Sequence, residues 1–497
     1  MAYSQANRLL TALVLAIWPA LALGEPLTMR PLSDPLGPLP GTLDHASMAN
    51  RLAARPLPPL TAFQASIQPA QSLAILRRSY LNALATLPAY GGRRGHIRSV
   101  VVEQGTTSLD ALAARLNSPD VLACDPAACL LRAALYVAPG AALVIENRTL
   151  LLETETGAFI AVSGELVTYG AAIEGVRAGS PALFDDSGSA KAPRPFIVTY
   201  DDSRVHLVQS RFAHLGFDAP SAYGLTMTTG NPDRTEGTPP TGAIVECEFE
   251  DLYYGFYSHR ASDVQIIGSE FSGSIVYGID PHDYSSRIVI AGNRVFGTRQ
   301  HHGIILSRGV TDSLISGNIL SLNEGSGIVL DRHSDNNSIA NNAIMTNKRD
   351  AIAIYESDNA IVFNNTAVAY TVGIRARNAR GLILADNHLE QGRNGILLRS
   401  ARAGGRARRA EDIYQEGIEA TLAGNLVGSH RIGDLELECV QQLRLFADGP
   451  YWPGVAKKNG ARASVTGDHI WQEVLATLKP GQSVSIENTS SCKNQPH

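Results

Sequence analysis

Residues 303–350 decide the fold, and they read GIILSRGVTDSLISGNILSLNEGSGIVLDRHSDNNSIANNAIMTNKRD. Short runs of apolar residues are separated here by glycine, asparagine and aspartate. The run that begins at Gly303 returns at Gly327, 24 residues later. Repeats of this length, with two or three short strands in each, are typical of the coils of a parallel β-helix.

The period extends along the chain as two columns of equivalent positions. One column holds asparagines separated by 25, 24, 23 and 22 residues, with serine or cysteine in the same slot of earlier repeats. Because stacked amides hydrogen-bond along a ladder, these asparagines predict a structural role. The first column contains Ser210, Cys247, Ser269, Asn293, Asn318, Asn342, Asn365, Asn387 and Asn425. The second contains Gly255, Gly278, Gly303, Gly327, Ala351, Gly373 and Gly395.

These columns predict an all-β fold, a right-handed parallel β-helix over residues 100–425 with a helical N-terminal cap and a small C-terminal cap. Residues 1–24 have the apolar run and small residues of a secretory signal, which predicts export without a membrane span in the mature chain. Residues 25–99 form the Pro-rich and helical cap region, and residues 426–497 form the C-terminal cap. Solenoids need such caps because their open ends expose core and strand edges.

Several local patterns refine the two caps. Helical spacing is found at Gln71–Leu87 and at Leu109–Leu116, the second of these behind a possible N-cap at Thr107 or Ser108. Asp468 is placed to cap a helix that ends near Leu478, and a last strand is expected at residues 481–487. Two long gaps in the repeat predict surface loops at residues 231–240 and 401–409.

The net charge of −5 gives no support for nucleic acid or an anionic membrane as a partner. The five cysteines allow two disulfides in an oxidising compartment, Cys124–Cys129 and Cys439–Cys492, with Cys247 as a buried thiol. No CxxC motif or Cys/His cluster indicates a metal site.

Strand alternation identifies which residues point outward after each column glycine. The first and third positions are apolar in most repeats and point inward, so the second and fourth positions face outward. The second positions are Tyr257, Asp280, Ile305, Val329, Ala353, Arg375 and Leu397. The fourth positions are His259, His282, Ser307, Asp331, Tyr355, Arg377 and Arg399. Fifth positions near the turn include Arg260, Asp283, Arg308 and Arg332.

This outer strip carries aromatic rings, histidines, arginines and carboxylates. Aromatic faces suit pyranose rings and arginine forks suit carboxylates, so the strip predicts a groove for a linear acidic polysaccharide. One repeat departs from its neighbours, because Ile279 is followed by Asp280-Pro281-His282-Asp283. A proline inside a flanked strand removes a ladder hydrogen bond, and local rules are broken most often at functional sites.

The Asp-Pro-His-Asp run in this register, with Arg308 one repeat later, resembles the periplasmic mannuronan C5-epimerases of alginate-producing bacteria. The resemblance implies polymannuronate as the substrate, action in the periplasm during alginate biosynthesis, and no required cofactor. It also implies association with the alginate polymerisation and export proteins. The Gly-Gly-x-Gly-x-Asp calcium repeats of secreted alginate epimerases do not occur in this sequence.

C5 epimerisation removes the proton beside a carboxylate, so it requires a charge neutraliser, a base and a proton source on the opposite face. Arg308 is the candidate neutraliser, since its guanidinium is permanently charged and bidentate. His282 is the candidate base because a neutral imidazole is available near neutral pH. Asp280 and Asp283 are expected to orient His282 or to bind sugar hydroxyls.

The resemblance makes the opposite-face acid a water molecule, and Tyr257 and Tyr355 are possible protein donors. The remaining outward residues are expected to hold sugars at neighbouring subsites, with the last four arginines forming a cationic run. They are Tyr257, His259, Arg260, Asp331, Tyr355, Arg332, Arg375, Arg377 and Arg399.

Three alternatives remain open at the level of sequence. A polysaccharide lyase shares the first chemical step and then expels the C4 oxygen. A glycoside hydrolase would need two or three carboxylates at the bond, which Asp280, Asp283 and Asp331 could supply. A non-catalytic polysaccharide-binding β-helix would need neither His282 nor Arg308.

Overall fold

The structure is a computed structural model of the 497-residue chain. The description that follows covers the residues 22–23, 27–32, 39–70, 73, 98–183, 193–229, 238–401, 414–428, 430–447, 454–457 and 462–488. Both predicted surface loops lie wholly or mostly outside these residues, as do most of the predicted signal and most of the predicted helix at 71–87.

Parallel strands stack into three sheets that wind around one apolar core, which confirms the predicted β-helix. Sheet 1 carries the outward columns of the predicted groove and follows the glycine column. Its parallel strands are Ala134–Val137, Phe159–Val162, Ile197–Thr199, Gly224–Thr228, Tyr254–His259, Tyr277–His282, Ile304–Ser307, Ile328–Asp331, Ile352–Tyr355, Val372–Arg377, Asn394–Arg399, Gly433–Glu438 and Val465–Gly467.

Sheets 2 and 3 complete each coil, and the asparagine column lies at the turn between them. Sheet 2 contains Ala141–Glu146, Glu165–Tyr169, Arg204–Val208, Thr241–Val245, Val264–Ile267, Val289–Ala291, Leu314–Ser316, Ser338–Ala340, Ile361–Phe363, Leu382–Ala385, Glu419–Ala423 and Gln442–Phe446. Sheet 3 contains Leu122–Cys124, Cys129–Leu131, Thr149–Glu153, Ala172–Arg177, Arg211–Ala213, Glu248–Glu250, Glu270–Ser272, Arg294–Phe296, Ile319–Ser321, Ala343–Met345, Thr366–Val368, His388–Glu390, Asn425–Val427 and Val455–Lys457, and Ser180–Pro181 pairs with its edge.

The asparagine column forms the predicted ladder of buried amides. Asn318 illustrates the pattern: its Oδ1 accepts the backbone N–H of Asn293 at 2.9 Å, and its own amide donates to Asn342 and to the carbonyl of Ile290. Every amide thereby satisfies backbone groups that the turn would otherwise bury unpaired. Cys247 occupies the same interior slot as a free buried thiol, as predicted.

A second buried ladder, which the sequence reasoning did not identify, lies at the turn between sheets 3 and 1. Asn323 accepts the backbone N–H of Thr298 and donates to Asn347. Because this turn leads directly into the sheet 1 strands, its ladder fixes the edge of the groove. The available signal was the Asn-x₂₃-Asn spacing between these two asparagines.

The first strand, Arg98–Ser108, is long enough to serve two sheets, since it pairs with sheet 1 through Ser99–Val102 and with sheet 2 through Gly105–Ser108. The helix Leu109–Leu116 follows as predicted, with the Ser108 hydroxyl accepting the N–H of Ala111. This helix packs on the first coil and closes that end.

The other end extends beyond the boundary predicted at residue 425. Gly433–Glu438 stacks in parallel on Asn394–Arg399, and Val465–Gly467 adds one more sheet 1 strand. The helix His469–Thr477 then packs against the last coil, near the predicted position. Asp468 precedes it, but its carboxylate accepts the backbone N–H of Cys439 and does not cap the helix.

Most of the helix predicted for the first end at residues 71–87 lies outside the described residues, and the described elements before it contact several parts of the solenoid. The strand Leu27–Pro31 pairs with the final strand Val484–Asn488, at the far end of the solenoid. The short strand Ala22–Leu23 pairs with Leu27–Pro31. The helix His45–Ala53 packs its apolar face on the outside of sheet 2. The strand Gln64–Pro69 then pairs with the first strand of the solenoid. The segment therefore runs along the side of the β-helix because sheet 2 offers it an apolar outer face.

Cys124 and Cys129 form a disulfide, as predicted. Cys492, one half of the second predicted pair, lies outside the described residues. Within the part of the chain described here, no helix has both the length and the apolar character needed to cross a membrane.

Candidate active site

The Asp-Pro-His-Asp run lies at the end of the sheet 1 strand Tyr277–His282, where the predicted register is found. Tyr257 pairs with Asp280, and His259 pairs with His282. Toward the next coil the ladder pairs Ile279 with Ile304 and His282 with Ser307, and it is interrupted in between, as expected of Pro281. Pro281 is buried and His282 is partly exposed, so proline points inward and the imidazole outward.

The residue that ends each of these strands adopts a left-handed backbone, which explains why the fifth position also faces the groove. Asp283, Arg308 and Arg332 have φ values of 38°, 62° and 52°. Simple alternation would turn these side chains inward, and the left-handed residue reverses that direction. Arg332 accordingly contacts the outward Ser307 of the preceding coil.

Asp283 connects the two residues predicted to carry the chemistry. Its Oδ2 lies 2.9 Å from Nδ1 of His282, and its Oδ1 lies 3.6 Å from Nε of Arg308. The three side chains are 16%, 24% and 12% exposed, respectively. Imidazole and guanidinium, on consecutive coils, therefore face the same part of the groove. The ion pair between Arg308 and Asp283 means that both groups are held before substrate arrives.

The protonation states at this rung are shifted by burial and by neighbouring charge. Burial raises the pKa of Asp280 to about 7, and the side chain is 1% exposed. Burial alone would lower the pKa of His282, but the adjacent carboxylate of Asp283 and the charge of Asp280 raise it above the ordinary value. For Asp283, burial is opposed by His282 and Arg308, and the net effect lowers its pKa.

Several tyrosine rings pack together beside this rung, and the sequence analysis identified only Tyr257 among them. Tyr257 lies 5.7 Å from the ring of His282, and its ring meets Tyr223 at 4.8 Å and Tyr254 at 5.7 Å. Burial raises the pKa of the Tyr257 hydroxyl well above its usual range, so this hydroxyl is neutral and protonated. The available signal was the clustering of Tyr253, Tyr254 and Tyr257 one repeat before the Asp-Pro-His-Asp run.

The other side of the rung is bordered by His301 and His302, which directly precede the column residue Gly303. Tyr277 stacks on His301 and His302, with ring centroids 5.4 and 5.8 Å apart. His302 opens onto a cleft of about 430 Å³ that continues along the groove. The cleft is lined by His302, Ser326, Arg349, Asp350, Tyr355, Thr371, Arg375, Ala376, Arg377, Leu397 and Arg399.

The four arginines predicted to form a cationic run occupy the expected column, but each is paired with a carboxylate of the protein. Arg332 pairs with Asp331 at 2.6 Å, and Arg399 pairs with Glu438 at 2.9 Å. The pairing of the other two is bidentate: Arg375 with Asp350 and Arg377 with Glu356. The prediction of a run of positive charge is therefore wrong about its net charge, because each guanidinium is paired with a protein carboxylate.

The remaining predicted binding residues lie on the same face at different distances from His282. The guanidinium of Arg377 stacks over the ring of Tyr355 at 4.6 Å. Tyr355 lies three coils beyond the strand of His282, and Arg377 lies four coils beyond it. His259 is on the preceding coil, 3.4 Å from the hydroxyl of Thr229, and burial lowers its pKa. Arg260 lies over the ring of Tyr284 at 5.6 Å.

Metal-ligating side chains come together once within the described residues, away from the groove. Asp110, Cys124 and Cys129 have ligand atoms within 4.8 Å of one another, but the two sulfurs are joined in the disulfide. Sulfurs in a disulfide are not thiolates, and thiolates are what bind metal. This cluster therefore supports no metal site.

Comparison with known proteins agrees with the fold. Residues 197–368 match the family model described as the right handed beta helix region. The chain is 35% identical over 303 residues to a mannuronan C5-epimerase of Pseudomonas putida, an alignment that covers 59% of this chain and 58% of that protein. It is 36% identical over 301 residues to mannuronan C5-epimerase AlgG of Azotobacter vinelandii, covering 59% of this chain and 57% of that one.

The chain thus spans less than three fifths of the length of these relatives. Among solved structures, the crystal structure of the periplasmic alginate epimerase AlgG matches 87% of this chain and all of its own chain, with a TM-score of 0.74 at 25% identity. In sequence and in fold the chain is therefore similar to the mannuronan C5-epimerases, which confirms the resemblance inferred from the Asp-Pro-His-Asp rung.

Proposed function

We propose that the protein is a mannuronan C5-epimerase that converts β-D-mannuronate to α-L-guluronate within polymannuronate. The observation that carries this proposal is the arrangement of His282 and Arg308 on consecutive coils, linked through Asp283 and facing one groove. The relatives named above are mannuronan C5-epimerases, and the matched structure is a periplasmic alginate epimerase. We therefore place the activity in the periplasm, during alginate biosynthesis.

Arg308 performs the first task, which is to neutralise the C6 carboxylate of the bound sugar. Without neutralisation, removal of the C5 proton would leave two negative charges on adjacent groups, and the C5–H bond would be a very poor acid. Arg308 is only 12% exposed, so its charge acts in a partly desolvated site where electrostatic interactions are stronger than in water. The sugar carboxylate and Asp283 then share this guanidinium.

His282 performs the second task by accepting the C5 proton. Its Nδ1 faces Asp283, which leaves Nε2 as the nitrogen available to the substrate. Because Asp283 and Asp280 raise the pKa of the imidazole, the base is neutral only above that raised pKa. The C5–H bond breaks, its proton moves to Nε2, and the electron pair is delocalised into the carboxylate held by Arg308.

A proton is then added to C5 from the opposite face, and a water molecule is the donor in this proposal. Tyr257 is the better protein alternative, since its ring is 5.7 Å from His282 and its hydroxyl stays protonated. Tyr355 is a poorer one because three coils, or about 14 Å, separate it from the catalytic rung. Asp280 and Asp283 orient the imidazole or bind sugar hydroxyls.

The polymer lies along sheet 1, and the flanking residues on that face hold neighbouring sugars. Rings such as Tyr257 and Tyr355 offer stacking surfaces, while His259, Arg260 and the carboxylate-paired arginines offer hydrogen bonds. Association with the alginate polymerisation and export proteins is part of the proposal through the resemblance alone.

Proton NMR of polymannuronate after incubation with the protein tests the reaction directly. Guluronate signals should appear and grow with time, with no loss of chain length. Chain shortening with an unsaturated sugar end would instead assign the protein as a lyase, in which the same C5 anion expels the C4 oxygen. Absence of both products would remove the proposed activity.

A further inference from the structure

One arginine beside the groove differs from those on the outer strip in its electrostatic pairing. Arg349 is exposed, and among the described residues no carboxylate lies within ion-pairing distance of its guanidinium. Its neighbour Asp350 is already occupied, since both carboxylate oxygens pair with Arg375. The positive charge of Arg349 therefore has no ion-pair partner among the described residues, whereas Arg332, Arg375, Arg377 and Arg399 of the strip each have one.

The backbone places Arg349 on the wall of the groove, at a defined distance from the chemistry. Its N–H donates to the carbonyl of Gly325, whose own N–H donates to His301, which in turn donates to Val276 just before the catalytic strand. Arg349 thus lies three coils beyond that strand. At about 4.8 Å per coil, this is about 14 Å along the solenoid axis.

His302 links the cleft that contains Arg349 to the strand of His282. The His302 ring stacks on Tyr277, and its Nδ1 accepts the backbone N–H of Ser326 at 2.9 Å. Burial, with smaller effects from His301 and Arg349, lowers the pKa of His302 to about 4, so the ring is neutral at working pH. With Nδ1 acting as an acceptor, the proton resides on Nε2, and His302 is a fixed neutral donor in the cleft.

We propose that Arg349 and His302 form a second carboxylate-binding subsite, which holds a uronate of the polymer beyond the sugar at His282. This inference rests on the proposed function, because it takes polymannuronate as the ligand. Arg349 supplies the uncompensated charge and His302 supplies a donor to a hydroxyl or carboxylate oxygen. The paired arginines of the strip then act as a neutral hydrogen-bonding surface along which the chain can move without being held at every sugar.

The test compares Arg349→Ala with Lys348→Ala, its exposed neighbour, whose partner Glu324 lies outside the cleft. A lost charge-assisted contact at an exposed position should raise KM for long polymannuronate about ten-fold, with kcat nearly unchanged. Lys348→Ala should leave both values unchanged. Arg349→Lys should recover part of the loss, since it restores the charge without the planar fork.

Direct binding separates the subsite from the reaction. In the His282→Ala background, calorimetric Kd values for polymannuronate should also rise about ten-fold on Arg349→Ala. Carboxyl-reduced polymannuronate should show no such difference, because it lacks the group that Arg349 recognises. If His282→Ala and the double variant His282→Ala/Arg349→Ala bound polymannuronate with equal Kd values, the subsite would be overturned. Failure of the wild type to make guluronate would overturn the proposed function.

Discussion

The asparagine ladder and the catalytic rung belong to the same coils, yet they treat buried polar groups in opposite ways. Along the ladder, an amide such as Asn318 has its oxygen and nitrogen fully hydrogen-bonded within the solenoid. At the rung, Asp280 is equally buried, but its Oδ1 accepts no hydrogen bond from any described residue. The ladder stabilises the fold, whereas the rung keeps a buried carboxylate oxygen without a hydrogen-bond partner, a departure of the kind found at functional sites.

The largest expected effect is on the rung. His282→Ala should reduce kcat about a thousand-fold, because a positioned general base contributes on that order. The melting temperature should change little, since the side chain faces the groove. Guluronate formation by NMR and a thermal melt check both parts, with the exposed His469→Ala as the matched histidine control. Retained turnover would exclude His282 as the base.

Arg308→Ala should have the next largest effect. It should lower kcat by a few hundred-fold, because the charge that stabilises the transition state is lost. Arg287→Ala is a suitable control, because Arg287 also pairs across coils, with Asp263, but on an exposed turn. Arg308→Lys should restore only part of the activity, since a point charge does not reproduce the bidentate fork. If Arg308→Ala raised only KM, the residue would be a binding group without a role in the chemical step.

The ladder should respond in the opposite way. Asn318→Ala removes four hydrogen bonds and leaves buried backbone groups unpaired, so unfolding free energy should fall by about 3 kcal/mol. Activity per folded molecule should remain near that of the wild type. Denaturant unfolding measures the loss, and Asn364→Gly, which removes an exposed amide pair, should cost far less. An Asn318 variant that kept its stability but lost its activity would contradict the purely structural role of the ladder.

The smallest effect is a change in pH dependence. Asp283 raises the pKa of His282, so Asp283→Asn should lower that pKa and keep the base neutral at lower pH. The rising limb of kcat/KM against pH should therefore move to lower pH, while its height falls because His282 and Arg308 lose their link. Asp263→Asn, on an exposed pair, should not move the limb. A shift to higher pH would contradict the ion pair.

The predictions from sequence were correct where the same residue pattern recurs in many coils. The groove register was correct because each outward residue, such as Tyr257 or Asp331, is fixed by the same two-residue alternation in its own strand. The predictions failed where the outcome depends on contacts between distant segments. The partners of Arg375 and Arg399 lie in other coils, and the helix His45–Ala53 packs on sheet 2 because an apolar outer face exists there.

The sequence by itself determined the coil, its period, the inward and outward faces and the unusual rung, because all of these follow from local alternation repeated at about 24 residues. Only the tertiary structure decided the electrostatics of the groove. Whether an arginine meets a protein carboxylate, as Arg377 does, or has no ion-pair partner among the described residues, as Arg349 does, depends on the stacking of segments that are more than twenty residues apart. Charged groups interact through space, whereas the sequence gives only the order of the charged residues along the chain.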